Sequence, residues 1–404
     1  MRGPVPRRGR ALGQVEIIRD GAILVQQDRI AAVGSKRRIE RLPKARRAEK
    51  LDLGGRVVLP GFVDSHTHLI FPFSRAAEYE QRISGATYEE IARSGGGIRS
   101  TVKHLRSAPA KILKARALKN LREFAAHGTT TIEAKSGYGL DWKSELKILQ
   151  ILYDLHQEHP LDIHSTFLGA HVVPPEFRKR PDAYVDLLAR RWIPTVATAG
   201  LAEFCDVFCD RGAFTVQQAR RILMAGRACG LVPRIHAEQL AHTGAVRLAI
   251  ELQAASADHL EKINRADIRA LSLSNVVCTM LPGCCFHLGL KNYAPARQLI
   301  DEGAIVGVAT DFNPGTSPTL SMTMILSLAC TQMRMTPAEA ITAATINPAY
   351  SLRVRDRVGS LEVGKYADLA AFDVADYREI PYYFGVNLCS LTMKRGAILH
   401  MKNL

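Results

Sequence analysis

The chain has 404 residues, of which 47% are hydrophobic and 23% charged, a composition typical of a soluble globular protein with a large core. Its apolar runs are all shorter than the roughly 20 residues of a membrane span, and the basic N-terminus lacks the apolar segment of a secretory signal. The eight cysteines show no spacing of a disulfide scaffold. We therefore expect a cytoplasmic protein without a membrane partner.

The net charge of +15 is concentrated at the N-terminus, where residues 1–50 contain 14 Lys or Arg and 5 Asp or Glu. A basic arm can indicate nucleic-acid binding, but this one lacks interleaved aromatic residues and matches no DNA-reading motif. We therefore expect no nucleic-acid partner and interpret the arm as a solvated surface. An anionic small-molecule substrate is also compatible with this charge.

Both ends of the chain are rich in predicted strands. Residues 15–25 and 28–34 alternate polar and apolar side chains around turn residues, which is typical of a β-hairpin. Residues 359–372 show a similar pattern near the C-terminus. We therefore predict a small β-sandwich domain made of residues 1–55 and 355–404, which the central part of the chain interrupts.

In the central part, short apolar runs alternate with longer segments of helical periodicity. The predicted strands are residues 56–63, 129–134, 163–169, 203–208, 232–236, 254–258, 275–281 and 305–310. Predicted helices lie between most of them, for example at 108–126 and 143–158. Eight strands alternating with helices over about 270 residues predict an α/β fold, a (β/α)₈ TIM-like barrel spanning residues 56–354. The chemistry of such a barrel takes place at the C-terminal ends of its strands.

The first predicted barrel strand runs into the sequence LPGFVDSHTH at residues 59–68. Alternate residues of a strand point to the same side, so His66 and His68 direct two imidazoles towards one point. Two nitrogen ligands that converge in this way suit a divalent metal. The pair therefore predicts a metal site at the C-terminal end of the strand.

Most of the other predicted strands also end in a histidine or a carboxylate. These residues are Glu133, His171, His236, His259 and Asp311. A single histidine is more often a hydrogen-bonded core or surface residue, and we interpret the histidines elsewhere in the chain in this way. A whole set at one face of a barrel indicates function, because burying polar groups without a purpose costs free energy.

Four of these strand-end residues form a suitable metal-binding set. They are His66, His68, His236 and Asp311, which can hold Zn²⁺ or Fe²⁺ and leave a position open for water. Metal binding lowers the pKa of that water to about 7 and so makes it a nucleophile. We expect Asp311 to be the general base and His259 to orient the water or stabilise the developing oxyanion.

The same residues give the chain a resemblance to the amidohydrolase superfamily, which has a His-x-His after strand 1, histidines after strands 5 and 6, and an aspartate after strand 8. Within it, residues 14–394 most resemble the imidazolonepropionase family. The closer motifs are KSGYGL at 135–140, FLGAH at 167–171, HAEQ at 236–239, LPG at 281–283, TDFNPGT at 310–316 and FGVN at 384–387.

This resemblance implies the hydrolytic ring opening of 4-imidazolone-5-propanoate to N-formimidoyl-L-glutamate in histidine catabolism, by a homodimer. The substrate is a small carboxylated cyclic amide. Arg75 is implied to bind its carboxylate, a role that suits a guanidinium group. The other residues implied to line the pocket are Tyr88, Tyr138, His171, Gln239, Asn313, Gly315 and Thr316. Gln239 is also implied to take part in catalysis.

Two absences separate this hypothesis from its alternatives. The strand at 203–208 contains no lysine, so the carbamylated lysine of two-metal members has no candidate there, and a single metal is favoured. Gln239 stands where the deaminases of the superfamily use a glutamate as proton shuttle, and an amide does not titrate. A related deaminase or dihydropyrimidinase-type hydrolase is therefore the weaker enzyme hypothesis. A non-catalytic scaffold would usually have lost metal ligands, and all four candidates are present here.

Overall fold

The computed structural model describes residues 5–86, 90 and 95–402 of the chain. Its strands are β1 Gly21–Gln26, β2 Arg29–Ser35, β3 Val57–Pro60, β4 Phe62–Asp64, β5 Thr129–Lys135, β6 Asp162–Ala170, β7 Phe204–Cys209, β8 Val232–Ala237, β9 Ser256–His259, β10 Val277–Met280, β11 Ile305–Val308, β12 Leu369–Phe372, β13 Cys389–Lys394 and β14 Ala397–Met401.

The α-helices of the described residues connect these strands. They are Lys36–Glu40, Ala76–Ile83, Ile98–Ser107, Ala110–Ala126, Trp142–Glu158, Pro181–Leu187, Ile193–Thr198, Val216–Ala228, Ala245–Glu251, Arg265–Ser272, Pro282–His287, Ala296–Asp301, Met322–Met333, Pro337–Ala343, Ile346–Ser351 and Glu379–Tyr382. Within the described ranges, no helix is long and apolar enough to cross a membrane.

Strands β4 to β11 form one parallel sheet in which each strand is hydrogen-bonded to its neighbours in chain order. The sheet closes on itself just beyond the ends of β4 and β11. There, Asp311 N donates to His66 O at 3.0 Å, and His68 N donates to Phe312 O at 2.8 Å. The predicted (β/α)₈ barrel is therefore confirmed, and the backbone that closes its mouth is the backbone of the predicted metal ligands.

The helix Val216–Ala228 illustrates how the outer layer forms. A capping box between Thr215 and Gln218 begins the helix, because each side chain accepts a backbone N–H of the other residue. The helix buries positions spaced by three or four residues, which is the spacing of one helical face. These positions are Ala219, Ile222, Leu223 and Gly226. The buried face packs in the main hydrophobic core, between the helices and the barrel.

The prediction of a single first strand at residues 56–63 was wrong, because two strands divide this segment. Strand β3 pairs antiparallel with β12 in a second sheet, whereas β4 pairs parallel with β5 in the barrel. Gly61 lies between them, and a Cβ atom at this position would lie 2.3 Å from Cγ2 of Thr130. Only glycine allows the chain to pass this close to β5 where it leaves one sheet for the other.

Strands from both ends of the chain form two small antiparallel sheets, one of β1 and β2 and one in the order β14-β13-β12-β3. The two sheets pack together, with Ile23 of the first against Leu369 and Leu391 of the second. Two segments lie across the predicted domain boundaries. Residues 57–60 belong to the second small sheet, and Leu12 is fully buried in the main barrel core. The division of the chain into two domains remains a prediction.

Candidate metal centre

The mouth of the barrel holds His66 and His68 in the segment that follows β4. Strand β4 ends at Asp64, whose carboxylate accepts hydrogen bonds from both the backbone N–H and the hydroxyl of Thr310. This contact joins the end of the first barrel strand to the segment after the last one. Burial raises the pKa of Asp64 to about 7, although the hydrogen bonds from Thr310 oppose the shift.

The four predicted ligands lie together at this mouth, and all four are buried. Asp311 Oδ1 lies 3.6 Å from His66 Nε2 and 3.6 Å from His68 Nε2. The ring centroids of His66 and His236 are 4.6 Å apart, and those of His68 and His236 are 5.9 Å apart. The structure therefore brings together, within one small volume, residues that are 245 positions apart in the sequence at the most.

The electrostatic environment keeps His66 and His68 neutral. Burial lowers the pKa of His66 well below its ordinary value, and the neighbouring charge of Lys135 lowers it further. Burial also lowers the pKa of His68, with His171 contributing in the same direction. Neutral imidazole is the form that binds a metal. Burial raises the pKa of Asp311 to about 6, although His259 and His236 oppose this shift.

Buried carboxylates orient two of these rings. His66 Nδ1 lies 2.7 Å from Asp258 Oδ2, and His236 Nδ1 lies 3.2 Å from Asp206 Oδ1. When Nδ1–H donates to the carboxylate, the Nε2 lone pair is left to bind a metal, and this second contact is the usual support of a metal-binding histidine. We did not predict the role of Asp206. Its signal in the sequence is a charged residue inside the otherwise apolar run FCDVFC.

The donor atoms fit a divalent metal. Among the described residues, His66 Nε2 and His236 Nε2 are buried and have no hydrogen-bond partner. Leaving such polar atoms unpaired costs free energy unless a ligand satisfies them. Ligand atoms of His66, His68 and Asp311 lie within 4.8 Å of one another, as do those of His66, His236 and His259. The site therefore has both the chemistry and the spacing for one divalent cation.

Below the histidines, a lysine lies within a cluster of fully buried charges. Lys135 Nζ is 2.8 Å from Glu133 Oε1 and 2.8 Å from Asp206 Oδ2, and it is 3.9 Å from Asp258 Oδ2. Arg234 Nη2 lies 3.6 Å from the same oxygen of Asp258. Burial would lower the pKa of Lys135, but Asp206 and Glu133 outweigh it and the pKa is raised. The sequence contains Lys135 in the KSGYG motif, but we assigned it no role.

His259 lies beside the predicted ligands. Its backbone φ is 83°, a conformation that residues other than glycine rarely adopt. Its Nδ1 atom is 3.5 Å from Glu261 Oε1. Burial lowers the pKa of His259, but Glu261 and Asp311 outweigh it and leave the pKa above its ordinary value. The structure thus places His259 where it can present a polar ring to the barrel mouth.

Two residues predicted to contact substrate, His171 and Tyr138, pack against His68, and a third, Gln239, lies in the segment after β8. The ring of His171 stacks on that of His68 at 5.2 Å, and its Nδ1 atom is 3.0 Å from Gly137 O. Burial lowers the pKa of His171 to about 3. Tyr138 is also buried, with its ring 5.5 Å from that of His68. Gln239 Nε2 contacts Cys284 Sγ at 3.6 Å.

Arg75 lies at the rim of the mouth and is paired with Glu78, whose Oε2 atom is 2.6 Å from Arg75 Nη2. The guanidinium passes directly over Gly315. A Cβ atom at residue 315 would lie 2.1 Å from Arg75 Nη1, so this position requires glycine if Arg75 is to stay in place. Tyr88, the remaining predicted substrate contact on this side, lies outside the described residues.

The side-chain amide of Asn313 is used within its own loop. Its Oδ1 atom accepts from Gly315 N at 2.8 Å and Thr316 N at 2.7 Å, and its Nδ2 atom donates to Asp311 O at 2.7 Å. Asn313 therefore shapes the loop that carries Gly315 and Thr316. These contacts also connect the loop to the backbone of Asp311.

The sequence profile of the Amidohydrolase family matches residues 57–399 of the chain. The imidazolonepropionase of Geobacillus kaustophilus (strain HTA426) is 47% identical over 390 residues, covering 96% of this chain and 92% of that relative. The imidazolonepropionase of Solibacter usitatus (strain Ellin6076) is 50% identical over 382 residues, covering 95% of this chain and 91% of that relative.

A solved adenosine deaminase from Xanthomonas campestris, with bound zinc, has the same fold, with a TM-score of 0.71 at 16% identity over 95% of this chain and 88% of that one. Similarity at this level of identity shows the fold alone. The family match extends over the barrel, its mouth and the sheet that contains β3, β12 and β13. The chain therefore belongs to the amidohydrolase family and, within it, to the imidazolonepropionases.

Proposed function

We propose that the chain hydrolyses 4-imidazolone-5-propanoate to N-formimidoyl-L-glutamate, with one Zn²⁺ or Fe²⁺ held by His66, His68, His236 and Asp311. The observation that carries the proposal is the set of buried imidazoles beside Asp311, with Arg75 at the rim of the same mouth. The similarity to the two imidazolonepropionases supports the choice of substrate. Sites with three histidines and one aspartate accept either metal.

A divalent metal held by these residues would lower the pKa of a water molecule to about 7 and would polarise the substrate carbonyl. Asp311 acts as general base and takes the proton of the attacking water. Burial raises the pKa of its carboxyl above the ordinary value for aspartate, which makes Asp311 a stronger base than an exposed carboxylate. His259, whose pKa is raised by Glu261 and Asp311 after the opposing effect of burial, stabilises the developing oxyanion.

Arg75 binds the propanoate carboxylate. Its guanidinium is held by Glu78 through Nε at 2.7 Å and Nη2 at 2.6 Å, so it needs little ordering when the substrate binds. Tyr138 and His171 contact the imidazolone ring. The low pKa of His171, about 3, keeps its ring neutral, so its Nε2 atom can accept a hydrogen bond from a ring N–H.

Gln239 contributes an amide at the edge of the pocket, and Gly315 and Thr316 line it from the loop that Asn313 shapes. The backbone N–H of Gln239 donates to Asp210 Oδ2 at 2.7 Å, which fixes the start of its loop. Because the Gln239 amide does not titrate, it orients the substrate and does not carry a proton, and this counts against a deaminase.

Metal analysis combined with a turnover assay tests the proposal. We expect one equivalent of Zn²⁺ or Fe²⁺ per chain and turnover of 4-imidazolone-5-propanoate, with loss of activity after chelation and recovery when the metal is restored. A panel of cyclic amides without a carboxylate serves as the control for Arg75. Equal turnover of these amides, or full activity of the metal-free chain, would contradict the proposal.

We also propose that the chain acts as a homodimer in the cytoplasm, with residues 1–55 and 355–404 as a small domain beside the barrel. Membership of a family of histidine-degrading enzymes supports the location. Light scattering at several concentrations tests the dimer, and limited proteolysis followed by mass spectrometry tests the domain division.

A further inference from the structure

The cluster around Lys135 is a buried ionic group beside the candidate ligands that the proposed mechanism does not use. Its side chain and those of Glu133, Asp206, Asp258 and Arg234 are all fully buried. Burying charges is costly, and such a group is retained only if every member is paired. The question is what these five residues stabilise.

Each carboxylate around Lys135 also contacts an element that carries a candidate metal ligand. Asp206 contacts the Nδ1 atom of His236, and Asp258 contacts the Nδ1 atom of His66. Glu133 Oε2 accepts the backbone N–H of Thr67 at 3.2 Å, and Thr67 lies between His66 and His68. Through Asp258 and Asp206 the ammonium group of Lys135 is linked to His66 and His236, and through Glu133 it is linked to the backbone between His66 and His68.

The backbone strengthens this connection. Lys135 N donates to Thr67 O at 2.9 Å, and the Thr67 hydroxyl donates to Glu133 O at 2.7 Å. The end of β5 is therefore hydrogen-bonded to the His-x-His segment by main chain and side chain together. Without Lys135, Arg234 would be the cation left to the cluster, and of the three carboxylates it contacts Asp258. In a medium of low dielectric, repulsion would then move Glu133 and Asp206 out of their present positions.

We infer that Lys135 is a positioning residue of the metal site, a fixed internal cation that holds Glu133, Asp206 and Asp258 where they orient the histidine ligands. The inference rests on the proposed metal site and goes beyond it, since it assigns Lys135 to metal affinity. Carboxylates that support metal-binding histidines typically change metal affinity by about 10–100-fold when they are altered. Removing the cation that holds two such carboxylates should have an effect of that size.

The chain offers a matched control in Lys394, a second buried lysine that lies in the small sheet. Its Nζ atom is 2.7 Å from Asp162 Oδ2 and 2.5 Å from Asp368 Oδ2. Asp162 begins β6 and therefore lies at the opposite end of the barrel from the candidate ligands. Lys394→Met removes the same group from a similar environment, and it reproduces the loss of a buried charge without affecting the site.

The experiment measures Zn²⁺ affinity by competition with a chromophoric chelator in the full-length chain, and it compares Lys135→Met with Lys394→Met. The visible absorption of the Co²⁺-loaded chain reports the ligand geometry. We expect Lys135→Met to weaken Zn²⁺ binding by about 10–100-fold and to change the Co²⁺ spectrum. We expect Lys394→Met to lower the melting temperature while both metal readouts stay as in the wild type.

A folded Lys135→Met chain with wild-type Zn²⁺ affinity and an unchanged Co²⁺ spectrum would overturn the inference alone. If Lys135→Met does not fold, the double variant Lys135→Met/Glu133→Gln removes one charge of each sign. We expect reduced Zn²⁺ affinity there as well, and wild-type affinity would overturn the inference. A wild-type chain that takes up no Zn²⁺, Fe²⁺ or Co²⁺ would instead overturn the proposed function, and this inference with it.

Discussion

Two buried lysines allow a comparison between the two ends of the barrel. Lys135 at the mouth and Lys394 beside the small sheet each lie within 2.8 Å of two carboxylates. The acids around Lys135 go on to contact histidines whose Nε2 atoms have no partner among the described residues. The acids around Lys394 instead connect β13 to the start of β6. The two lysines have similar ion pairs, so the difference between them lies in the other residues that their carboxylates contact.

The largest effect at the mouth should follow from the loss of a ligand. His236→Ala removes a buried imidazole that Asp206 orients, and we expect it to abolish metal content and activity. The measurement is metal analysis with a turnover assay. His156→Ala, which changes an exposed histidine near the start of β6 and far from the mouth, is the control, and full activity in a metal-free His236→Ala chain would contradict the mechanism.

The corresponding change beside the small sheet should affect stability without affecting metal. Asp368→Asn removes one of the two carboxylates that neutralise Lys394, and we expect it to lower the free energy of unfolding by about 3 kcal/mol. Denaturant unfolding measures this loss. Asp373→Asn changes an exposed ion pair with Arg56 and should cost less than about 1 kcal/mol. A loss of metal content in folded Asp368→Asn would remove the distinction between the two ends.

Substrate binding at the rim should respond to a single methyl group. Gly315→Ala places Cβ at 2.1 Å from Arg75 Nη1, and the flexible guanidinium must move away. We expect KM for the carboxylated substrate to rise by about tenfold or more while kcat changes little, since one charge-assisted contact is lost. Gly13→Ala, with its nearest atom at 3.5 Å, is the matched control.

Arg75→Ala should raise KM in the same way, and adding Gly315→Ala to it should have little further effect, since both changes act on one guanidinium. Independent, additive effects of the two substitutions on KM would show that Arg75 is not the carboxylate anchor.

The smallest effect should be a difference in the pH dependence of stability. The pKa of His171 is about 3 in the folded chain and its ordinary value is 6.5, so the unfolded chain binds more protons between these values. The contribution of His171 to the free energy of unfolding is therefore fully present above pH 6.5 and is lost as the pH falls towards 3. In metal-free protein, the free energy of unfolding of the wild type should fall with pH below 6.5 more steeply than that of His171→Asn. The difference should be about 1 kcal/mol per pH unit. Parallel stability curves would contradict the neutral, buried state of His171.

The sequence predicted the barrel because apolar runs alternate regularly with helical segments. It predicted the residues at the mouth because polar residues follow these runs at their C-terminal ends. Apolar runs such as 232–236 lie within one residue of the observed strand, and polar residues at their ends mark the mouth. The charges below the mouth were harder to predict. Asp206 and Lys135 lie inside or at the end of buried strands, and the sequence does not show that strands β5, β7 and β9 bring them together with Asp258.

The break at Gly61 has a local signal in the dipeptide Pro60-Gly61, which typically interrupts a strand, but the sequence does not show which sheet each half joins. The division depends on partners distant in sequence, β12 for the first half and β5 for the second. The strained conformation of His259 and the use of the Asn313 amide within its own loop depend in the same way on three-dimensional context.

The passage through Gly61 also limits how the enzyme can be engineered. β3 pairs with β12, and one residue separates β3 from the strand that leads to His66. The barrel therefore depends on the C-terminal sheet and is not an independent structural unit. A truncation that deletes β12 would free the segment that leads into β4 and His66. Grafts of this active site onto another barrel would therefore have to carry the C-terminal strands with them.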